Sequence, residues 1–189
     1  LVDVQNHDAL VINGTTGEAP TTTDAEKREL LEAVADEVGD RAQVIAGVGT
    51  FSTAHTLELA RQATDAGAHG LLVVTPYYSR PPQDALADHF LTVAEAVTLP
   101  IMIYDIPHRA GVPVETATMV QLAAHPRIVA VKDAKGQPVA SSQVIAQTGL
   151  AYYSGDDAIT LPLLAVGGVG LVGTSTHFTG TRAKAMIDS

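Results

Sequence analysis

Apolar residues along the chain follow two alternating patterns. Seven short stretches are almost continuously aliphatic: ALVING (9–14), QVIAGVG (43–49), GLLVVTP (70–76), PIMIYDIP (100–107), RIVAVKDA (127–134), LAYYSGDD (150–157) and GLVGTST (170–176). Each closes among Gly, Pro, Asp or Thr residues. A strand covered on both faces reads this way, because neither face has to meet water. The segments between them carry apolar residues at helical spacing. Thr23 with Glu26 three residues on predicts a capping box, followed by Leu30, Leu31, Val34, Ala35 and Val38 on one face and a stop at Gly39. Thr53 is the expected cap of a helix bearing Leu57, Ala60 and Ala63, with Gly67 ending it. Leu86, Phe90, Val93 and Val97 continue the pattern after Pro81 and Pro82. Asp157 is expected to open a helix that runs to Gly167 and Gly168.

Seven strands alternating with six helices predict a parallel α/β protein, either a doubly wound sheet or a (β/α)8 TIM barrel. The doubly wound reading asks for G-x-G-x-x-G after a strand. The nearest match is GVGTFS, with Gly47 and Gly49 in place and Ser52 where the third glycine belongs. The barrel reading asks for polar residues at the C-terminal ends of several strands, and these are present: Thr15 and Thr16, Tyr77 and Tyr78, Tyr104, Lys132, and Asp156 with Asp157. Residues 1–189 are therefore expected to form one TIM-barrel domain.

Composition narrows the function. The net charge of -10 leaves no basic stripe to neutralise phosphates, which argues against nucleic-acid and anionic-membrane partners. The absence of cysteine excludes disulfides, thiolate metal sites and cysteine nucleophiles, and fits a cytoplasmic location. No apolar run approaches the ~20 residues of a membrane span. The seven histidines show no metal-ligand spacing and are expected on the surface or in loops; no metal or cofactor is expected. The opening LVDVQNHD has no signal-peptide pattern and no initiator methionine, so a partial chain is expected.

Only four lysines occur, and one of them, Lys132, ends a core strand. Alternation puts Ile128, Ala130 and Lys132 on one face and Val129, Val131 and Asp133 on the other. A lysine there either snorkels to water or is a desolvated amine able to form an imine with a carbonyl; the stretch alone leaves both open. Imine chemistry also needs a proton shuttle, and Tyr104 at the end of the preceding strand offers a phenol. The turn GTTGE (14–18) presents hydroxyls and backbone N–H groups suited to a small carboxylate. Arg109 in YDIPHRAG would clamp a second carboxylate, or stand as a solvated loop residue.

Together GTTGE, TPYYSRP, YDIPHRAG, VKDA and SGDD resemble, in order and spacing, the dihydrodipicolinate synthase family, most closely its actinobacterial members, from about Asp8 to Val172. The resemblance implies a pyruvate-dependent class I aldolase on a TIM barrel. By that resemblance Lys132 is the Schiff-base lysine and Tyr104 the general acid/base. Thr15 and Tyr78 are its relay partners, Tyr78 reaching into a neighbouring subunit of a dimer of dimers. Thr16, with backbone groups near Val172, would bind the carboxylate of pyruvate. Arg109 would hold that of L-aspartate-4-semialdehyde, the second substrate, and it distinguishes this family from sialic-acid lyases and keto-deoxy-sugar aldolases. The alternatives are another pyruvate aldolase of the wider superfamily, of the N-acetylneuraminate lyase or keto-deoxy-sugar aldolase type, which Arg109 argues against, and a non-catalytic barrel fragment. Against the family pattern, the first strand and helix and a helical C-terminal extension are expected to be missing, leaving two unpaired sheet edges. Phe51 and His55 stand where lysine-inhibited relatives place an asparagine and a glutamate, and Asp24 and Lys27 replace pocket histidines. Insensitivity to lysine is expected.

Overall fold

The computed structural model describes residues 1–189. Seven strands, β1 (Ala9–Ile12), β2 (Gln43–Gly47), β3 (Gly70–Val74), β4 (Ile101–Asp105), β5 (Ile128–Asp133), β6 (Ala151–Ser154) and β7 (Gly170–Leu171), form one sheet whose spatial order equals the chain order. Every pairing is parallel. A doubly wound sheet must reverse its strand order at a switch point, and none occurs. The sheet is a partial (β/α) barrel, with β1 and β7 as its edges.

The helices are α1 (Val2–Gln5), α2 (Asp24–Val38), α3 (Thr53–Asp65), α4 (Gln83–Ala96), α5 (Pro107–Ala110), α6 (Thr116–Leu122), α7 (Pro138–Gln147), α8 (Asp157–Leu164) and α9 (Thr176–Ile187). None is long and apolar enough to cross a membrane. The capping box at Thr23 and Glu26 forms, and Gly39 caps the end of α2. Only Leu31 and Val38 of the expected α2 face are buried, and Leu30 is half exposed. Two caps fall one residue earlier than the sequence indicated. Ser52 accepts from the His55 N–H at the start of α3, and Asp156 from the Ala158 N–H at the start of α8. Thr53 and Asp157 are thus the first helical residues, and α8 stops at Leu164, short of the glycines.

The sheet separates two apolar layers. Outward-facing Val44, Leu71, Val73, Ile101, Ile103 and Val131 meet Leu31, Leu59, Phe90, Val93 and Leu122 from the helices. Each such side chain, fully buried, contributes roughly 1.5–3 kcal/mol. The smaller inward layer comprises Leu72, Val74, Tyr104, Ile106 and Ala134, with Val11, Ile45, Tyr77 and Met102 against it. Ile128 belongs to the outward layer, contrary to simple alternation. The register between β4 and β5 slips by one residue, pairing Ile101 with Ile128 and Met102 with Ala130. The skipped Val129 is left 43% exposed. A β-bulge of this kind resets which side chains face inward, and beyond it Ala130 and Lys132 face in as expected.

Gly47 and Gly49, considered above as a phosphate loop, have a packing role. A Cβ at Gly47 would collide with the Asn13 carbonyl, and one at Gly49 with the Val74 amide. At the far side of the chain α1 lies against α9. His7 Nε2 meets the Thr176 carbonyl at 3.1 Å, and Lys184 Nζ meets Asp8 at 2.9 Å.

Candidate active site

Register brings the two reactive candidates together. Tyr104 of β4 pairs directly with Lys132 of β5, and both point into the barrel. Lys132 Nζ sits 4.2 Å from the centroid of the Tyr104 ring, a cation–π distance when the amine is protonated. Burial lowers the Lys132 pKa to about 8, because an ammonium loses hydration that no anion here replaces. Burial also raises the Tyr104 pKa, opposed by the Arg109 charge and by the Thr15 hydroxyl. The phenol is thereby held neutral, while the amine stays mostly protonated at pH 7 but carries a far larger neutral fraction than an ordinary lysine. Gly155, after β6, makes room for this arrangement, since a Cβ there would stand 3.2 Å from Lys132 Cγ and Cε.

Thr15 opens a 3-10 turn, Thr15–Gly17, at the end of β1. It joins Tyr104, Tyr77, Thr50, Phe51 and His55 in lining a cavity of about 240 Å3. Lys132 is not among the walls of that cavity, so the strand-end pair defines the site, with Thr15 and Tyr104 joining it to the hollow. Arg109 is exposed on α5, close enough for its charge to act on Tyr104. Three candidates are not drawn in. Thr16 is exposed beside Thr15. The Val172 N–H donates to the Ser154 carbonyl at 2.8 Å, which commits it to strand pairing. Tyr78 is 94% exposed, with φ of 75°.

Behind the site lies a polar layer that sequence reading did not pick out. Asp105 and Asp133, each following a reactive residue, pair with one another on the outward face. Lys135 Nζ approaches Asp105 Oδ2 at 3.0 Å, as an ion pair without aligned hydrogen-bond geometry. Ser141 of α7 donates to Asp133 Oδ2. Burial raises the Asp105 pKa, and Lys135 opposes it. The Tyr152 hydroxyl is buried without a partner, and its pKa is raised by burial and by both aspartates. The available signal was an aspartate on the outward face of each of two buried strands, which demands a buried partner. His89 departs from expectation too. It lies buried on α4, 4% exposed, and shares a hydrogen bond of 2.8 Å with Thr53 Oγ1.

A parallel barrel that brings an amine and a phenol together at its C-terminal mouth has the arrangement that carbonyl chemistry requires. The profile of the dihydrodipicolinate synthetase family matches residues 2–189. The chain is 65% identical over 189 residues to the 4-hydroxy-tetrahydrodipicolinate synthase of Cutibacterium acnes, covering 100% of this chain and 64% of the relative. It is similar in structure to a dihydrodipicolinate synthase of Bacillus anthracis, with 40% identity and a TM-score of 0.94 over 96% of this chain and 63% of the other. The synthase of Cyanidioschyzon merolae, solved with lysine bound, gives 41% identity and a TM-score of 0.94 over 96% and 62%. This chain belongs to the dihydrodipicolinate synthetase family. It spans about three fifths of the length of these relatives.

Proposed function

We propose that the protein condenses pyruvate with L-aspartate-4-semialdehyde to give 4-hydroxy-tetrahydrodipicolinate, in lysine and diaminopimelate synthesis, in the cytoplasm. The observation that carries this reading is the desolvated Lys132 amine above the Tyr104 ring, within a family whose relatives bear that enzyme's name. The neutral amine of Lys132 adds to the ketone of pyruvate, and loss of water leaves the imine. Removal of a methyl proton, relayed through Tyr104, Thr15 and the Tyr78 hydroxyl of a second copy of the chain, gives the enamine. The enamine carbon attacks the aldehyde, whose oxygen takes a proton. The amine of the semialdehyde then attacks the imine carbon and releases Lys132 as the ring closes. Thr16 and backbone groups next to Val172, other than its own strand-paired N–H, take the pyruvate carboxylate, and Arg109 takes the carboxylate of the semialdehyde. The covalent bond to Lys132 serves in place of a cofactor. Arg109 favours this substrate over the sugar-derived carbonyls handled by other pyruvate aldolases.

Borohydride reduction in the presence of pyruvate tests the reading. A pyruvyl adduct is expected on the Lys132 peptide, lost in Lys132→Ala. Absence of an adduct from a folded parent protein would return the barrel to a binding role.

A further inference from the structure

Lys135 has no part in that chemistry, yet it is one of the few buried cations in the molecule. Its side chain is 5% exposed and that of its partner Asp105 is 1% exposed. The register explains why a cation is needed. With Tyr104 opposite Lys132, Asp105 necessarily falls opposite Asp133, one step along and facing the helices. Two carboxylates opposed on neighbouring buried strands repel, and neither has water to screen it.

Lys135 resolves this by folding back over the strand ends. Its backbone N–H donates to Asp133 Oδ1 at 2.8 Å, while its Nζ reaches Asp105 at 3.0 Å and the Val114 carbonyl at 3.3 Å. Val114 N–H in turn donates to Asp105 Oδ1 at 3.2 Å. One side chain therefore ties the exit of β5 to the exit of β4 and to the segment leading into α6. Ser141 secures the second aspartate from α7. Inside the clamp, Ala134 N–H donates to the Asp105 carbonyl at 2.9 Å and Gly155 N–H to the Asp133 carbonyl at 2.7 Å. The other end of the same strand pair carries the bulge at Val129, where pairing is interrupted. At the reactive end the side-chain clamp adds to the backbone pairing of Tyr104 with Lys132 and Asp105 with Asp133.

We propose that Lys135 is a positioning residue: its buried ion pair with Asp105 locks the ends of β4 and β5 together and so holds the Lys132 amine over the Tyr104 ring. The inference rests on the reading of Lys132 as the imine-forming residue. The groups facing Lys132 are the Tyr104 phenol from β4, with Arg109 of α5 acting on that phenol, and from β6 the half-buried Tyr153, which pairs with Lys132 in register, and Gly155. With the clamp gone, the strand ends separate and Lys132 turns toward water.

The test reads Lys132 without substrate. Reductive methylation by formaldehyde and cyanoborohydride is followed against pH in the protein as its gene encodes it, with the Lys132 peptide quantified by mass spectrometry. The parent should be half-reactive near pH 8, the value to which burial lowers this amine. The double variant Asp105→Asn/Lys135→Met removes both charges, so no carboxylate is left unpaired by the change. Its Lys132 midpoint should rise by at least one unit, with labelling at pH 7 down about tenfold and pyruvate trapping slowed in parallel. Lys135→Arg should keep the parent profile. A double variant that unfolds cooperatively and still shows the parent midpoint would overturn the proposal. Where the double variant does not fold, Asp105→Asn alone decides, with the same shift expected and an unchanged midpoint overturning it. Failure of the parent to trap pyruvate would count against the proposed function and leave the labelling result on the clamp intact.

Discussion

At the scale of single residues, Lys132 carries a prediction with a definite sign. Its pKa lies at about 8, below the ordinary 10.5, and only the neutral amine attacks a carbonyl. The rate of imine formation should climb about tenfold per pH unit below 8 and level off above it. Trapping kinetics across pH 6–10 would show this, and a rate still rising toward pH 10.5 would mean that Lys132 is solvated. Two other residues bear on regulation. The Phe51 ring meets Tyr77 edge-on at 5.6 Å, and His55 Nε2 holds Asp24 Oδ2 at 2.9 Å. The cavity thus does contain a carboxylate, supplied by Asp24 of α2, but it is already engaged by His55. A free lysine would find its ammonium partner taken and an apolar ring in its path. Half-maximal inhibition by lysine is therefore expected above ~1 mM, an affinity of only about 4 kcal/mol. An inhibition curve with a midpoint well below that would refute the reading of positions 51 and 55.

At the scale of elements, α3 and α4 hold a pH-dependent contact. His89 is buried between them, and burial lowers its pKa from 6.5 to about 4. Between those values the unfolded chain binds a proton that the folded chain refuses, so stability falls as the pH drops through this window. The full loss, reached below pH 4, is worth ~3 kcal/mol. His89→Asn, which keeps a polar atom for Thr53, should flatten the dependence of the urea midpoint between pH 6.5 and 4. An unchanged slope would place the acid sensitivity elsewhere. Sequence pattern located all seven strands, because buried parallel strands announce themselves as unbroken aliphatic runs. It also found the capping box at Thr23 and the contact of Tyr104 with Lys132, since sequential barrel strands are neighbours. It missed His89, because one polar residue on a helical face leaves the apolar period intact. It misplaced Ile128, because a bulge is a choice of register between two strands and leaves no mark on either alone. The Asp105–Lys135 pair was hidden for a similar reason: the two residues lie thirty positions apart and meet only once β4 and β5 are aligned.

At the scale of the whole molecule, Tyr78 is the element that a single chain does not explain. A tyrosine that is 94% exposed and held at φ of 75° costs on the order of 1–3 kcal/mol in backbone strain with nothing in its own chain to offset it. Arg80, two residues on, is also left-handed at φ of 47°, so the loop after β3 is shaped to project outward. A second copy related by two-fold symmetry would receive the ring, and by the same symmetry return its own. If that copy's site uses the Tyr78 hydroxyl as a proton relay, each site is built from two chains. Tyr78→Phe and Lys132→Ala should then each be nearly inactive alone, yet recover activity when unfolded together and refolded as a mixture. Random pairing restores about one site in four, the one that combines Lys132 from the first variant with Tyr78 from the second. Recovery absent from a mixture shown by native mass spectrometry to contain mixed dimers would confine Tyr78 to its own chain. An enzyme that is fully active as a strict monomer would remove the shared site altogether.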